Sequence, residues 1–322
     1  MNVLFISSGY AGIYPYFEQS IQNTFLRLNH SVFKVSPTYN LETLEQIEQY
    51  HPDLVLAFVG YKLQKMFIDF LKQKGYVLSI WLTEDPFYID ESVNLVEDFN
   101  FIFTIDLGAY EYYKNTFHSK SIYHLPLGTD PEIYSPPHIP KTDYFDLCLV
   151  GYPYPERIEL ARLILEHTSY TMIIAGPLWK KFISNEHFKR LKLINKWIEP
   201  EMVKNIFHSS KIILNPHRSY NFHQNKNTLG IEGKSINNRT FDIAASNSFQ
   251  LCLGKSDLEL HFDPLNEVIP YTTNEECIQF IHQFVHDETT RNQCSNNAME
   301  KVLITHTFLQ RIQFIIKHLG FE

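Results

Sequence analysis

Residues 235–253, SINNRTFDIAASNSFQLCL, run from an Asn-rich loop through a short helix of small residues into an apolar strand. That order suits a parallel sheet covered by helices, whose strands are buried on both faces and read as continuous apolar runs. Arg239 and Asp242 are three residues apart, so with Arg239 in the first helical turn both share one face at the N-terminal end. Free backbone N–H groups and the helix dipole attract anions there, and a guanidinium fork suits phosphate oxygens. Asp242 then has the chemistry to accept hydrogen bonds from sugar hydroxyls. A capped helix with a solvated ion pair explains the same two residues. The surrounding sequence has to decide.

The same alternation extends in both directions. In the first half, apolar runs at 3–7, 31–35, 53–59, 76–82, 101–105 and 121–126 predict six strands, with helices at 16–29, 41–50 and 62–75, the last closed by Gly75. Six strands suit a complete Rossmann-like domain. GTDPEIYSPPHIPKTDYF (128–145) then brings four prolines, and Pro136–Pro137 cannot lie inside a helix or a central strand, so this reads as an interdomain linker. A second series follows, with strands at 146–151, 171–176, 211–217, 249–253 and 267–271 and helices at 155–167, 200–209 and 239–247. Two helices, 274–286 and about 289–318, end the chain, and the Asn-rich loop 219–238 is long enough to be mobile or functional.

With 322 residues and 44% hydrophobic content the chain exceeds one ordinary core and predicts two domains. A net charge of −8 and a pI near 6.0 argue against nucleic acid as the main partner. Cys148, Cys252, Cys277 and Cys294 show no CxxC spacing and read as reduced thiols. The opening MNVLFISSGY lacks a basic segment and a long apolar run, so it reads as a first strand; no transmembrane segment and a cytoplasmic location are expected. Fifteen histidines form no HExxH motif, and no Asp-x-Asp pair accompanies them, so no metal is expected.

Open parallel sheets bind ligands at the carboxyl ends of their strands, and the polar residues fall there. In SSGYAGIYPYF, Gly9 and Gly12 flank Tyr10 and permit a tight turn, either a binding loop or a plain strand-to-helix connection. TEDPFYID places Glu84 and Asp85 at a strand end, as a base, a grip on hydroxyls or a cap. In the second half, GYPYPER places Arg157 at a strand end. GPLW supplies Gly176 and Pro177 for a turn and Trp179 as a flat face or a core residue, and NPHR supplies Asn215, His217 and Arg218. Polar clusters at four successive strand ends, with three arginines, favour a nucleotide-diphosphate pocket over coincidence.

These residues resemble the CgeB-like spore-maturation glycosyltransferases, within the wider group of GT-B enzymes related to glycosyltransferase families 1 and 4. The likeness runs through DLCLVGYPYPER, IIAGPLW, IFHSSKIILNPHR, NNRTFDIAASNSFQL, EVIPYTTNEE and HTFLQR, and more loosely through WLTEDPF, FIFTID and HLPLGTDPEIY. The resemblance implies an α/β chain of two Rossmann-like, doubly wound domains facing a cleft. Residues 1–135 would form the acceptor domain, 141–300 the nucleotide-sugar donor domain, and 301–322 a helix crossing back to the first. It implies a hexosyltransferase (EC 2.4) with no cofactor and no obligatory metal, a UDP-sugar being the first donor to expect. A glycan, protein or small-molecule acceptor of a spore or cell surface would follow.

On this resemblance Arg239 and Arg157, with Arg218 and Lys211 behind them, offset the diphosphate charge, and Asp242 stands where the wider group carries a ribose-binding glutamate. Many relatives have Glu and a Cys-Gly where this chain has Asp242 and Asn247, and Asn tolerates the left-handed turn that Gly supplies. Lys234 occupies the place of a second acid in the retaining group, with Glu232 nearby, so stereochemistry does not carry over. An inverting reaction would need a base, for which Asp85 is the candidate. Two other readings fit the fold elements: a GT-B-like binding or assembly protein of the spore surface without turnover, and a doubly wound nucleotide-sugar epimerase or sugar-phosphate enzyme.

Overall fold

The computed structural model describes residues 1–136, 144–184 and 189–321; Pro137 and Pro140 of the expected linker lie outside the described residues. The chain divides into two compact units. One comprises Met1–Leu127, Tyr220–Ser235 and Phe308–Glu322; the other comprises Gly128–Ser219 and Ile236–Thr307.

In the first unit the strands are β1 (Asn2–Ile6), β2 (Ser31–Val35), β3 (Leu54–Phe58), β4 (Leu78–Leu82), β5 (Phe101–Thr104) and β6 (Ser121–His124). They form one parallel sheet in the order β2-β1-β3-β4-β5-β6. Helices α1 (Tyr14–Arg27), α2 (Leu41–Tyr50), α3 (Lys65–Gln73), α4 (Ile89–Val96) and α5 (Leu107–Thr116) alternate with them. Strands β3 and β4 are buried throughout, since helices cover both sheet faces. Sequence reading missed α4 and α5. LGAYEYYKNT is rich in weak helix formers, and α5 is started by Asp106, whose Oδ1 accepts from the N–H groups of Gly108 at 2.8 Å and Ala109 at 3.1 Å.

The second unit contains β7 (Phe145–Val150), α6 (Pro155–His167), β8 (Met172–Ala175), β9 (Leu191–Ile194), α7 (Pro200–His208) and β10 (Ser210–Asn215). It continues with α8 (Arg239–Ala245), β11 (Gln250–Leu253), α9 (Leu258–His261), β12 (Ile269–Tyr271), α10 (Asn274–Phe284) and α11 (Glu288–Thr305). The sheet is again parallel, in the order β12-β11-β10-β7-β8-β9. Strand β9 was not expected, because LKLI is short and alternates Lys with apolar residues.

The helix expected over 289–318 is two helices. It breaks at His306–Thr307, where the Thr129 N–H donates to the His306 carbonyl at 3.0 Å and Thr129 bridges to Thr307. Ala298 and Val302 of α11 join the core around Phe241. The following helix, α12 (Phe308–His318), belongs to the first unit, where Phe308, Ile312 and Ile315 pack with Phe25 and Trp81.

The Asn-rich segment Tyr220–Ser235 also belongs to the first unit. The Lys226 N–H donates to the Phe87 carbonyl at 2.8 Å, and the Thr228 N–H reaches the Asp90 carboxylate at 2.9 Å. Asp106 Oδ2 accepts from the N–H groups of Lys234 and Ser235, both at 3.0 Å. Gly108 is pressed so closely that a Cβ there would lie 2.1 Å from the Glu232 carbonyl oxygen. All four cysteines are free and buried. No helix among the described residues is long and apolar enough to cross a membrane.

Candidate active site

A doubly wound sheet offers a ligand crevice where its strand order reverses. In the second unit that point lies between β7 and β10. Arg157, in the first turn of α6, spans it: Nε donates to the Pro216 carbonyl after β10 at 3.1 Å, and Nη1 to the Tyr152 carbonyl after β7 at 3.2 Å. Only 6% of Arg157 is exposed. Burial and the neighbouring Arg239 charge bring its pKa down to about 10, so it remains a cation at neutral pH.

Two glycines allow this approach. Gly151 has φ +139° and Gly176 has φ +152°. A Cβ on Gly151 would lie 2.3 Å from Arg157 Nη1 and 3.2 Å from Arg239 Nη1; one on Gly176 would lie 2.1 Å from the Gly151 carbonyl oxygen. Both guanidiniums therefore converge on Gly151. Neither has a carboxylate within ion-pair distance, and Arg239 makes no hydrogen bond among the described residues. Arg218 joins through Tyr154: the guanidinium carbons of Arg157 and Arg218 lie 5.2 and 5.0 Å from that ring's centroid.

A buried polar network fixes the turn into α8. Asn237 Nδ2 lies 2.9 Å from Asn215 Oδ1 and 2.7 Å from His217 Nδ1, while Asn215 Nδ2 donates to Thr240 Oγ1 at 3.0 Å and Gln250 Oε1 at 3.2 Å. Burial, then the charges of Lys255 and Arg157, push the His217 pKa down to about 3, so its ring is neutral. Asn215 and His217 thus brace the loop that presents Arg239. Asp242 is 7% exposed, accepting from Thr129 Oγ1 at 2.8 Å and Asn238 Nδ2 at 3.2 Å. Burial raises its pKa to about 7, against the lowering effect of Thr129 and Arg239.

Two expected contributors lie elsewhere. Lys211 is at the start of β10 and pairs with Asp146 at 2.8 Å, at the amino end of the sheet and remote from the carboxyl-end loops. Trp179 is fully buried in the apolar core, its Nε1 donating to the Gly151 carbonyl at 2.7 Å, so it braces the glycine turn and presents no face to a ligand. Pro177 is half-buried between Gly176 and Leu178, whose φ is +68°. Sequence reasoning missed Gly151, Tyr154, Asn237 and Thr129. The first two were legible within GYPYPER; the others act through contacts distant in sequence.

In the first unit the strand order reverses between β1 and β3. Lys62, after β3, donates to the Gly9 carbonyl at 2.7 Å and stands 4.0 Å above the Tyr10 ring. Gly9 and Gly12 both have positive φ, giving the tight turn their spacing suggested. Tyr10 and Tyr14 have ring centroids 5.4 Å apart, and the Tyr14 hydroxyl donates to Glu84. Asp85 is not placed as an acceptor-facing base. It is 1% exposed and accepts from Ser92 at 2.6 Å, Thr104 at 2.7 Å and Tyr113 at 3.0 Å, so it anchors the turn after β4. Burial raises its pKa, which the three donors partly oppose.

No group of three metal-ligating side chains occurs among the described residues. His282 lies one turn from His286, but its Nδ1 is engaged by the Tyr170 hydroxyl at 2.9 Å.

The sequence pattern of a family described as Glycosyl transferase-like matches residues 157–317. Spore protein CgeB of Bacillus subtilis (strain 168) is 34% identical over 257 residues, which cover 78% of this chain and 79% of that protein. Among solved structures, sucrose-phosphate synthase from Thermosynechococcus elongatus superposes with a TM-score of 0.70 at 10% identity, covering 99% of both chains. An alpha-glucosyltransferase in complex with UDP gives 0.69 at 10% identity, and Anabaena HepE in complex with UDP and glucose gives 0.66 at 11%, each covering 99% of both chains. These matches show the GT-B fold that the sequence led us to expect.

Proposed function

Since the chain belongs to the CgeB-like family of glycosyltransferases, we propose that it transfers a sugar from a nucleoside-diphosphate donor, a UDP-sugar first among them, to a glycan, protein or small molecule of a spore or cell surface. The observation that carries this reading is the convergence of Arg157 and Arg239 on Gly151, with no carboxylate within ion-pair distance of either among the described residues. Burial first, and then the repulsion between two cations held together, lower the Arg157 pKa; a bound diphosphate would relieve that repulsion. Placed on the leaving group, the same charges stabilise the anion that develops as the glycosidic bond breaks. They offer a metal-independent route, with Arg218 as a third contributor.

Asp242, with its oxygens facing Thr129 and Asn238, is proposed to accept a hydrogen bond from the donor ribose on a remaining lone pair. The Gly9–Gly12 turn, Tyr10 and Glu84 would meet the acceptor. Glu84 replaces Asp85 as the acid to test as a base, because its carboxylate is only partly buried. Glu84→Gln should lower transfer by roughly 100-fold while leaving donor affinity intact; near-normal turnover would remove it from that role. The first test of function is a panel of UDP-, GDP-, TDP-, CDP- and ADP-sugars in EDTA, read as nucleotide release. Release from one donor class supports a transferase. Diphosphate binding without release under any acceptor would favour a spore-surface binding protein, for which the name of the B. subtilis relative is the motive.

A further inference from the structure

Arg157, Arg218 and Arg239 of the second unit raise a physical problem: like charges gathered in a partly buried crevice tend to splay into solvent before any anion arrives. Arg157 is fixed by two backbone carbonyls. Arg218 is half-buried in the loop after β10, and its guanidinium and that of Arg157 both lie over the Tyr154 ring. Tyr154 immediately precedes α6, its N–H donates to the Tyr152 carbonyl at 2.9 Å, and its ring lies 5.1 Å from that of Tyr152, so its position is set by backbone as well as by packing. The negative face of an aromatic ring offsets part of a guanidinium's charge while leaving its N–H edge free to donate.

We infer that Tyr154 is a positioning residue for the donor diphosphate: its ring holds Arg157 and Arg218 as a preorganised pair of cations before the nucleotide binds. The inference rests on the proposed function and deepens it. Tyr154 does not touch the reacting atoms. It lowers the cost of ordering two long side chains on binding. Because it is the ring that acts, the hydroxyl should be dispensable, and because it acts on phosphate ligands, the nucleoside should be indifferent to it.

The test is calorimetric titration of UDP and of uridine into wild type, Tyr154→Leu, Tyr154→Phe and Tyr154→Trp, with melting temperatures recorded beside them. The expected result is a loss of about tenfold in UDP affinity for Tyr154→Leu, with uridine affinity unchanged and UDP affinity restored within about twofold by Phe or Trp. UDP affinity equal to wild type in Tyr154→Leu would overturn the inference and leave the proposed function standing. So would a parallel loss of UDP and uridine, or a failure of Phe and Trp to rescue, since those mark a packing role. If wild type binds no UDP, the proposed donor falls and the inference falls with it.

Discussion

Asp242 and His217, both buried beside Arg239, respond to pH in opposite senses. The Asp242 pKa rises to about 7 in the folded chain, so between its ordinary value and 7 the folded state binds more protons than the unfolded state, and stability falls as pH rises. His217 drops to about 3, so below its ordinary value near 6.5 the unfolded state takes up the proton and stability falls as pH falls. The two partly cancel over the mildly acidic range, so the difference between Asp242→Asn and wild type isolates the carboxylate. That variant should gain stability relative to wild type at pH 8 compared with pH 5, seen in paired melts; a pH-independent difference would contradict the assignment. Asp85→Ala tests the other buried acid. Three hydroxyl donors would lose their acceptor, costing about 3 kcal/mol or more, whereas an unchanged melt would mean that Asp85 does not anchor its turn.

At the scale of elements, the site depends on two loops brought together by close backbone packing. Gly176→Ala would put a Cβ 2.1 Å from the Gly151 carbonyl and 3.1 Å from Trp179 Nε1, at a φ of +152°. The expected outcome is a loss of about 1–3 kcal/mol in stability, together with weaker diphosphate binding, because Gly151 carries the point on which both arginines converge. Normal affinity in a destabilised variant would separate the glycine turn from the site. The positions of β1 to β8, of β10 to β12 and of most of the helices between them were legible, because runs such as DLVLAFV and DLCLVG are apolar without alternation. Helices α4 and α5 were not: IDESVNLV and the tyrosine-rich LGAYEYYKNT are both built largely of weak helix formers, and Asp106 starts α5 while also holding Lys234 and Ser235, more than a hundred residues away. The break between α11 and α12 was hidden for the same reason: Thr129 defines it from a distance.

Over the whole molecule, two similar sheets carry different chemistry at their strand reversals. The second gathers arginines around a glycine turn, and the first gathers tyrosines, Lys62 and Glu84. The sequence showed which strand ends bear polar residues, but not which of them point inward. Trp179 turned out to be core, and Lys211 stands at the opposite end of its strand from the crevice. The places of Arg157, Arg218 and Arg239 were legible because each follows a strand or opens a helix, at the carboxyl ends of the strands. The most direct measurement is a calorimetric titration of UDP, in EDTA, into wild type and Arg239→Ala. Tight binding by wild type and a loss of about 2 kcal/mol or more in the variant, with melting unchanged, is the predicted result. Equal affinity in the two proteins would contradict a diphosphate site built on Arg239.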